Sequence, residues 1–215
     1  MNVLSLDCST TKASAQLWCD GKPGPAVAWE AERARHEGLF DRLRVLLAEA
    51  GWSWVELGLY VVGRGPGAYS GLRVSLLAVQ ALAEPGGVPV MAVSSMEAMA
   101  LGLMVRHGLD ELTVVGDARR DSFWHGRCVR ATLLQSPVEW SVAKLSEASN
   151  VLSGARNLVS PHGDSLRALR ETVGGHWLDG APVPTAADVY ALVMARRAAG
   201  AASDPLLPLY LHPAV

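Results

Sequence analysis

Apolar and polar residues follow two distinct periods along the first hundred residues. Residues 2–8 (NVLSLDC) and 13–19 (ASAQLWC) are short apolar stretches separated by a polar segment, which predicts two strands joined by a tight turn. The turn residues GKPGP at 21–25 then precede the alternating stretch AVAWEAER, which predicts a third strand. The chain therefore begins with three strands in succession.

The period changes to three and four residues from His36 onward, which predicts a helix that ends at Gly51. A continuous apolar run at 59–65 predicts a buried parallel strand, followed by a helix over about 72–83, a strand at 88–93 and a helix from Met96 to about Arg106. Three strands followed by alternating helices and strands is the order of a ribonuclease H-like lobe, which actin-like proteins use twice.

A second lobe is predicted to begin near Leu112. Its predicted elements are a hairpin (TVVGDA and SFWHGRCV), strands at VEWSV and NLVS, and helices near 144–153, 164–173 and 185–199. We therefore predict an α/β, actin-like (ASKHA) fold of two ribonuclease H-like lobes, the second one reduced. The predicted boundaries are 1–108 for the N-terminal lobe and 109–215 for the C-terminal lobe.

Composition limits the possible functions. Half of the 215 residues are hydrophobic and 19% are charged, which indicates a chain that folds throughout. The net charge of −2 disfavours tight, autonomous binding of a nucleic acid, because phosphate neutralisation supplies most of that affinity. The three scattered cysteines predict buried thiols in a reducing compartment, and no signal-like or membrane-spanning stretch is recognisable. We expect a cytoplasmic protein without a membrane role.

The first turn contains a candidate phosphate-binding group. In actin-like ATPases an Asp on the first strand precedes a polar turn that faces phosphates and a hydrated metal ion, and Asp7, Ser9 and Thr10 have this arrangement. They are the candidate cofactor-binding residues. The alternative is a purely structural turn, in which Asp7 ends a strand and the hydroxyl groups cap a hairpin.

A glycine-rich turn lies between the predicted buried strand and the next helix. The residues GRGPGAYSGLR at 63–73 allow a tight turn and expose amides at a helix N-terminus, which suits either an anion or close packing without a ligand. They fit neither GxxxxGK[ST] nor GxGxxG, which disfavours a P-loop enzyme.

The helix after this turn is apolar around nearly its whole circumference. Such a helix must be buried on all sides, either within the monomer or partly against a partner protein. Neither His36, whose i+4 position is Phe40, nor DARRDS at 117–122 supplies a complete metal or acid–base site. We predict no catalytic residue, no metal and no cofactor.

Several segments together resemble the TsaB (YeaZ) family, the dimerisation subunit of the bacterial tRNA threonylcarbamoyladenosine complex. They are NVLSLDCSTTKASAQLW, HEGLFDRLRVLLAEAG, VGRGPGAYSGLRVSLLAVQALA, GVPVMAVSSMEAMA, DARRDSFW and PLYLHP. Family members usually read GPGSFTGLR in the glycine turn, so Ala68, Tyr69 and Ser70 are conservative departures, and Cys8 replaces a usual Thr.

The resemblance implies a non-catalytic scaffold that binds and supports TsaD in the N6-threonylcarbamoylation of adenosine 37 of tRNAs reading ANN codons. It implies a direct heterodimer with TsaD, TsaE in the larger complex, tRNA contact only through the complex, and a possible homodimer of the isolated chain. The predicted partner interface comprises His36, Leu39, Phe40, Leu43, Tyr69, Leu72, Arg73, Leu76 and Gln80. The alternative function is an actin-like small kinase or ATPase that uses the Asp7 turn for phosphate binding.

Overall fold

The computed structural model describes residues 1–31, 36 and 38–211, without the side chain of Asp164. Its first sheet has the strand order β3-β2-β1-β4-β5. The strands are β1 (Asn2–Asp7), β2 (Lys12–Cys19), β3 (Lys22–Glu30), β4 (Leu59–Gly63) and β5 (Val90–Val93). The first three strands pair antiparallel and the last two extend the sheet in parallel from β1. This is the sheet of a ribonuclease H-like lobe.

Helices cover both faces of this sheet because its side chains alternate between the two faces. Helices α1 (Leu39–Ala50) and α2 (Tyr69–Ala83) share one apolar core with alternate residues of β1, including Leu4 and Leu6. On the other face α7 (Ala186–Ala198) packs on β1, β2 and β4, and the Tyr190 ring stacks on Trp18 at 3.8 Å between centroids.

The second sheet repeats the same pairing pattern. Its strands are β6 (Glu111–Arg119), β7 (Ser122–Val129), β8 (Ser141–Lys144), β9 (Asn157–Val159) and β10 (His176–Trp177). The order β10-β9-β6-β7-β8 is that of the first sheet, with three antiparallel strands followed by two parallel ones. Its helices are short: α4 (Arg130–Leu133), α5 (Ala148–Val151) and α6 (Arg167–Thr172). The predicted two-lobed fold is therefore present. The second lobe is reduced because its helices are short, while its sheet keeps five strands.

The chain divides into two compact units. The first, here called lobe 1, comprises Met1–Met99 and Pro184–Tyr210, and the second, lobe 2, holds Ala100–Val183, beginning within α3 (Ser95–His107). The sequence-based boundaries of 1–108 and 109–215 differ from these units in two respects, and the first is that the division falls at Met99/Ala100, within α3. The second is that the C-terminal residues from Pro184 return to lobe 1, because α7 buries its apolar face on the first sheet.

Several predicted element bounds differ from those observed. Helix α2 begins three residues before the predicted start, inside the glycine-rich motif. The predicted helix near 144–153 is a 3-10 turn at Leu145–Glu147 that continues into α5, and only its first residue, Lys144, belongs to β8. The predicted ends of the third strand at 32–33 and of PLYLHP at 212–213 lie outside the described residues. No helix among the described residues is long and apolar enough to cross a bilayer.

Candidate functional site

The Asp7 turn and the glycine-rich turn close tightly on each other in lobe 1. The backbone N–H of Ala68 donates to the Ser9 carbonyl at 2.7 Å. A Cβ added at Gly67 would overlap this carbonyl, and one added at Gly71 would overlap the carbonyl of Cys8. The glycines therefore serve close packing of backbone on backbone, one of the two alternatives that their spacing left open.

Asp7 is completely buried at the end of β1, on the sheet face that α7 covers. Its Oδ1 accepts hydrogen bonds from the Ser9 N–H at 2.9 Å and the Ser9 hydroxyl at 2.7 Å, whereas its Oδ2 accepts none from the described residues. Gly63 makes room for this carboxylate, since a Cβ there would overlap Oδ2. Burial raises the pKa of Asp7, while the nearby Ser95 hydroxyl and the two Ser9 donors oppose the rise.

The other two candidate cofactor residues are also engaged internally. Ser9 is buried against Asp7, and the Thr10 hydroxyl donates to the Lys12 carbonyl at 2.7 Å and accepts from the Lys12 N–H at 3.1 Å. This is the hairpin-capping arrangement expected of a structural turn. The structure thus brings Asp7 and Ser9 together in the core and leaves only Thr10 partly exposed.

His36 makes hydrogen-bond contacts with β3 and with the turn between β1 and β2. Its Nδ1 accepts from the indole N–H of Trp29 at 3.2 Å, and its Nε2 lies 3.1 Å from the Thr10 carbonyl. Both contacts are satisfied by the neutral tautomer with hydrogen on Nε2. Burial lowers the pKa of His36, and the nearby Arg42 adds to this effect, while backbone carbonyls oppose it. His36 is 2% exposed, so it is a packed core residue and is not available on the surface for a partner.

Helix α2 presents an exposed stripe along one side. Tyr69, Arg73 and Leu77 follow each other at intervals of four residues, and the Tyr69 and Leu77 side chains are 57% and 61% exposed. The Arg73 guanidinium donates to the Tyr69 hydroxyl and lies 5.2 Å from the centre of its ring. On α1, Phe40 and Val45 are 50% and 59% exposed. We call these five residues the α1/α2 face.

The C-terminal segment of lobe 1 extends this face. The ring of Tyr210 stacks on that of Tyr69 with centroids 5.0 Å apart. The segment is anchored upstream, where the N–H of Leu209 donates to the Arg64 carbonyl at 2.8 Å and the Arg64 side chain donates to the Leu207 carbonyl at 2.8 Å. Arg64 belongs to the glycine-rich motif, so the C-terminal segment and this motif are held together beside the start of α2.

The predicted interface residues divide between this face and the core. Phe40, Tyr69 and Arg73 are exposed, and Gln80 is partly buried. The remaining predicted interface residues are at most 3% exposed and pack inside lobe 1: His36, Leu39, Leu43, Leu72 and Leu76. Leu72 and Leu76 each lie one position before an exposed residue of α2, Arg73 and Leu77.

Val45, Leu77 and Tyr210 lie on this surface but are not among the predicted interface residues. The spacing of Tyr69, Arg73 and Leu77 could have identified Leu77, since an arginine marks the solvent side of a helix. Nothing local in the sequence indicates that Tyr210 reaches Tyr69. Among residues 1–31, 36 and 38–211, no three His, Cys, Asp or Glu side chains group closely enough to hold a metal ion.

The comparisons with known proteins agree with the resemblance. The family model "TsaD: tRNA N6-adenosine threonylcarbamoyltransferase" matches residues 24–153, more than half of the chain. The tRNA threonylcarbamoyladenosine biosynthesis protein TsaB of Escherichia coli (strain K12) is 26% identical over 158 residues, which cover 68% of each chain. Its counterpart in Haemophilus influenzae is 28% identical over 60% of this chain and 55% of its own.

A solved structure extends the likeness to nearly the whole chain. YeaZ from Pseudomonas aeruginosa superposes with a TM-score of 0.78 and 25% identity, covering 98% of this chain and 99% of that one. Since the family model, the TsaB relatives and the YeaZ structure agree with the two-sheet topology, this chain belongs to the threonylcarbamoyltransferase family of that model and, within it, to the TsaB (YeaZ) proteins of threonylcarbamoyladenosine biosynthesis.

Proposed function

We propose that this protein is a non-catalytic scaffold subunit that binds TsaD and supports it in the N6-threonylcarbamoylation of adenosine 37 of tRNAs reading ANN codons. In this proposal TsaD forms a direct heterodimer with the chain, TsaE joins the larger complex, and an isolated chain can form a homodimer. The protein acts in the cytoplasm, where tRNA is modified.

The observation that carries the proposal is the α1/α2 face. It exposes Phe40, Val45, Tyr69 and Leu77 on two helices that pack on the same side of one sheet. Large aromatic side chains and arginine are enriched at protein interfaces, and Arg73 lies beside Tyr69 on this face. Exposed apolar residues scattered singly need no explanation, but the exposed stripe of Tyr69, Arg73 and Leu77 along α2 indicates a surface that a partner covers.

The chemistry of the first turn supports a non-catalytic role. An actin-like kinase or ATPase needs a carboxylate that reaches a hydrated metal ion beside the phosphates. Here Asp7 has no exposed surface, Ser9 is bonded to it, and the glycine-rich turn packs directly on the Ser9 carbonyl. A phosphate group would have to separate these two turns before it could contact their amides.

The direct test is co-purification of the chain with the TsaD protein of the same organism, with the masses measured by light scattering after size exclusion. We expect a heterodimer for the wild type. Leu77→Glu should weaken it by about thirty-fold or more, the effect of losing a residue worth at least about 2 kcal/mol in an interface core. The circular dichroism spectrum and melting temperature of the free chain should change little, because the side chain is exposed.

Val105→Glu is the matched control. Val105 is also on a helix, α3, and is 57% exposed, so the substitution adds the same charge at a similarly exposed helical position outside α1 and α2. The proposal is wrong if Leu77→Glu retains wild-type affinity for TsaD, or if both variants lose it equally. ATP turnover by the isolated chain that disappears in Asp7→Ala would support the kinase alternative instead.

A further inference from the structure

The tip of the β6–β7 hairpin in lobe 2 has an unusual backbone. Arg119, Arg120 and Asp121 are three consecutive residues with positive φ, at 61°, 50° and 55°. Aspartate tolerates this left-handed region, but arginine rarely occupies it, and hairpin turns of this kind favour Asn-Gly or Asp-Gly. Two arginines therefore stand where glycine or asparagine would stabilise the turn better.

Both arginine side chains are available to a ligand. Arg119 and Arg120 are exposed, and neither guanidinium hydrogen-bonds or pairs with a charged group among the described residues. A third cation lies beside them, since the Lys144 ammonium is 3.4 Å from the Arg120 carbonyl. Of the neighbouring acids, Asp117 accepts from the Arg119 N–H at 2.6 Å and so serves the turn itself. Asp121 is exposed, and Glu147 accepts from the Lys144 N–H at 3.4 Å.

Three hydrogen bonds fix the backbone of the hairpin tip. The N–H of Asp117 donates to His162 Nδ1 at 2.9 Å, the N–H of Leu145 donates to the Asp121 carbonyl at 2.9 Å, and the Ser122 hydroxyl donates to the Arg120 carbonyl at 3.2 Å. A fixed backbone reduces the ordering cost of binding. Arginine forks match phosphate oxygens better than any other side chain does.

We propose that Arg119, Arg120 and Lys144 at this hairpin tip contact the phosphate groups of the tRNA. The conformational cost of arginine in the turn is offset by this contact, which is the usual reason for strain at a surface site. The inference rests on the proposed function for the identity of the RNA. It adds a direct contribution of this chain to tRNA binding, although the chain as a whole carries a net charge of −2.

The experiment is fluorescence anisotropy with labelled, unmodified tRNA over a range of salt concentrations. It uses the chain alone and, separately, the chain co-purified with TsaD. We expect Arg119→Gln/Arg120→Gln to weaken binding about tenfold at low salt and to reduce the slope of log K against log salt by about 1 per arginine. The control Arg156→Gln/Arg167→Gln removes the same charge from exposed positions of lobe 2 and should leave the slope unchanged.

A second variant separates binding from structure. Arg120→Gly removes the cation and relieves the backbone, so it should raise the melting temperature of the chain while weakening tRNA binding about threefold. If Arg120→Gly lowers the melting temperature and leaves tRNA affinity unchanged, the arginine is structural and the inference is wrong. Equal affinity and equal slope in the double Gln variant, or loss of the same size in its control, also overturn it.

Failure of the proposed function is recognisable separately. If the wild-type chain does not co-purify with TsaD, the scaffold proposal fails, while the measurement on the chain alone still reports on the hairpin. Absence of tRNA binding by the wild type in both forms overturns the inference.

Discussion

The two lobes of this protein have sheets of the same strand order but support them in different ways. Helices α1, α2 and α7 of lobe 1 contain 12, 15 and 13 residues, whereas α4, α5 and α6 of lobe 2 contain 4, 4 and 6. Long helices both bury a wide apolar face and leave a second face that can be exposed. Among the described residues, the helices that lie wholly in lobe 2 are too short to offer a continuous stripe such as that of Tyr69, Arg73 and Leu77.

The lobes also differ in how their charges are placed. In lobe 1, Arg196 is 2% exposed and pairs with two carboxylates, Glu97 at the start of α3 and Asp204 at 3.3 Å in the C-terminal segment. In lobe 2 the ion pair of Arg167 with Glu171 lies on the surface, where its side chains are 81% and 66% exposed. Buried and exposed pairs of the same chemistry are expected to respond very differently to the loss of the cation.

The largest expected effect follows from that difference. Arg196→Ala should lower the free energy of unfolding by about 4 kcal/mol, because buried Glu97 loses the Arg196 guanidinium and Asp204 keeps only the more distant Arg64 at 3.8 Å. Arg167→Ala should cost about 0.5 kcal/mol or less. Urea denaturation of both variants measures the difference, and equal destabilisation would show that the buried network contributes no more than a surface pair.

The second prediction distinguishes the core side of α2 from its exposed side. Leu76→Ala should cost about 3 kcal/mol, because the 2% exposed side chain leaves a cavity against the sheet. Leu77→Ala should change stability by about 0.5 kcal/mol or less, since its side chain is 61% exposed. Denaturation midpoints of the two neighbouring variants provide the measurement, and similar losses would contradict the assignment of the two faces.

The same pair of residues shows what the sequence could predict. Periodicity identified α2 as a helix and marked Leu72, Leu76 and Val79 as apolar, but it does not distinguish the stripe that meets the sheet from an adjacent apolar stripe. The strand order of lobe 1 was predictable because each strand is bounded by turns or helices. The strands of lobe 2 are harder to predict from the sequence, because β9 and β10 contain three and two residues, too few to show a hydrophobic period.

Contacts distant in sequence could not be predicted at the candidate site. Three such contacts form only when the complete sheet brings distant residues together. Gly63 makes room for the Asp7 carboxylate, and the Ala68 N–H donates a hydrogen bond to the Ser9 carbonyl. The third contact is the stacking of Tyr210 on Tyr69. The composition of the Asp7 turn fits both a phosphate site and a structural turn. The burial of Asp7 and Ser9, which depends on the whole lobe, favours the structural turn.

The third prediction compares glycines of the two lobes. Gly67→Ala should destabilise the protein by about 2 kcal/mol, because the new Cβ would overlap the Ser9 carbonyl and backbone atoms move less readily than a side chain. Gly154→Ala in lobe 2 meets nothing within 4 Å and should change stability little. A thermal melt of each variant tests this, and a tolerated Gly67→Ala would mean that the two turns of lobe 1 are not closed on each other.

The smallest effect is a dependence of stability on pH that involves one histidine of each lobe. Burial lowers the pKa values of both His36 and His125. The unfolded chain, with histidine pKa values near 6.5, then binds more protons than the folded protein as the pH falls below that value. Stability is therefore full above about pH 6.5 and decreases as the pH falls through the lower pKa values of the folded state.

His36 should contribute more to this decrease than His125, because protonation would place a hydrogen on Nδ1 facing the indole N–H of Trp29. Urea denaturation from pH 7.5 to 5 should show a smaller pH dependence in His36→Gln, whose overall stability is lower, and a nearly unchanged one in His125→Gln. An unaltered pH dependence in His36→Gln would contradict a neutral His36 that is hydrogen-bonded through both ring nitrogens. The comparison of the two variants assigns the larger part of the pH response to one lobe.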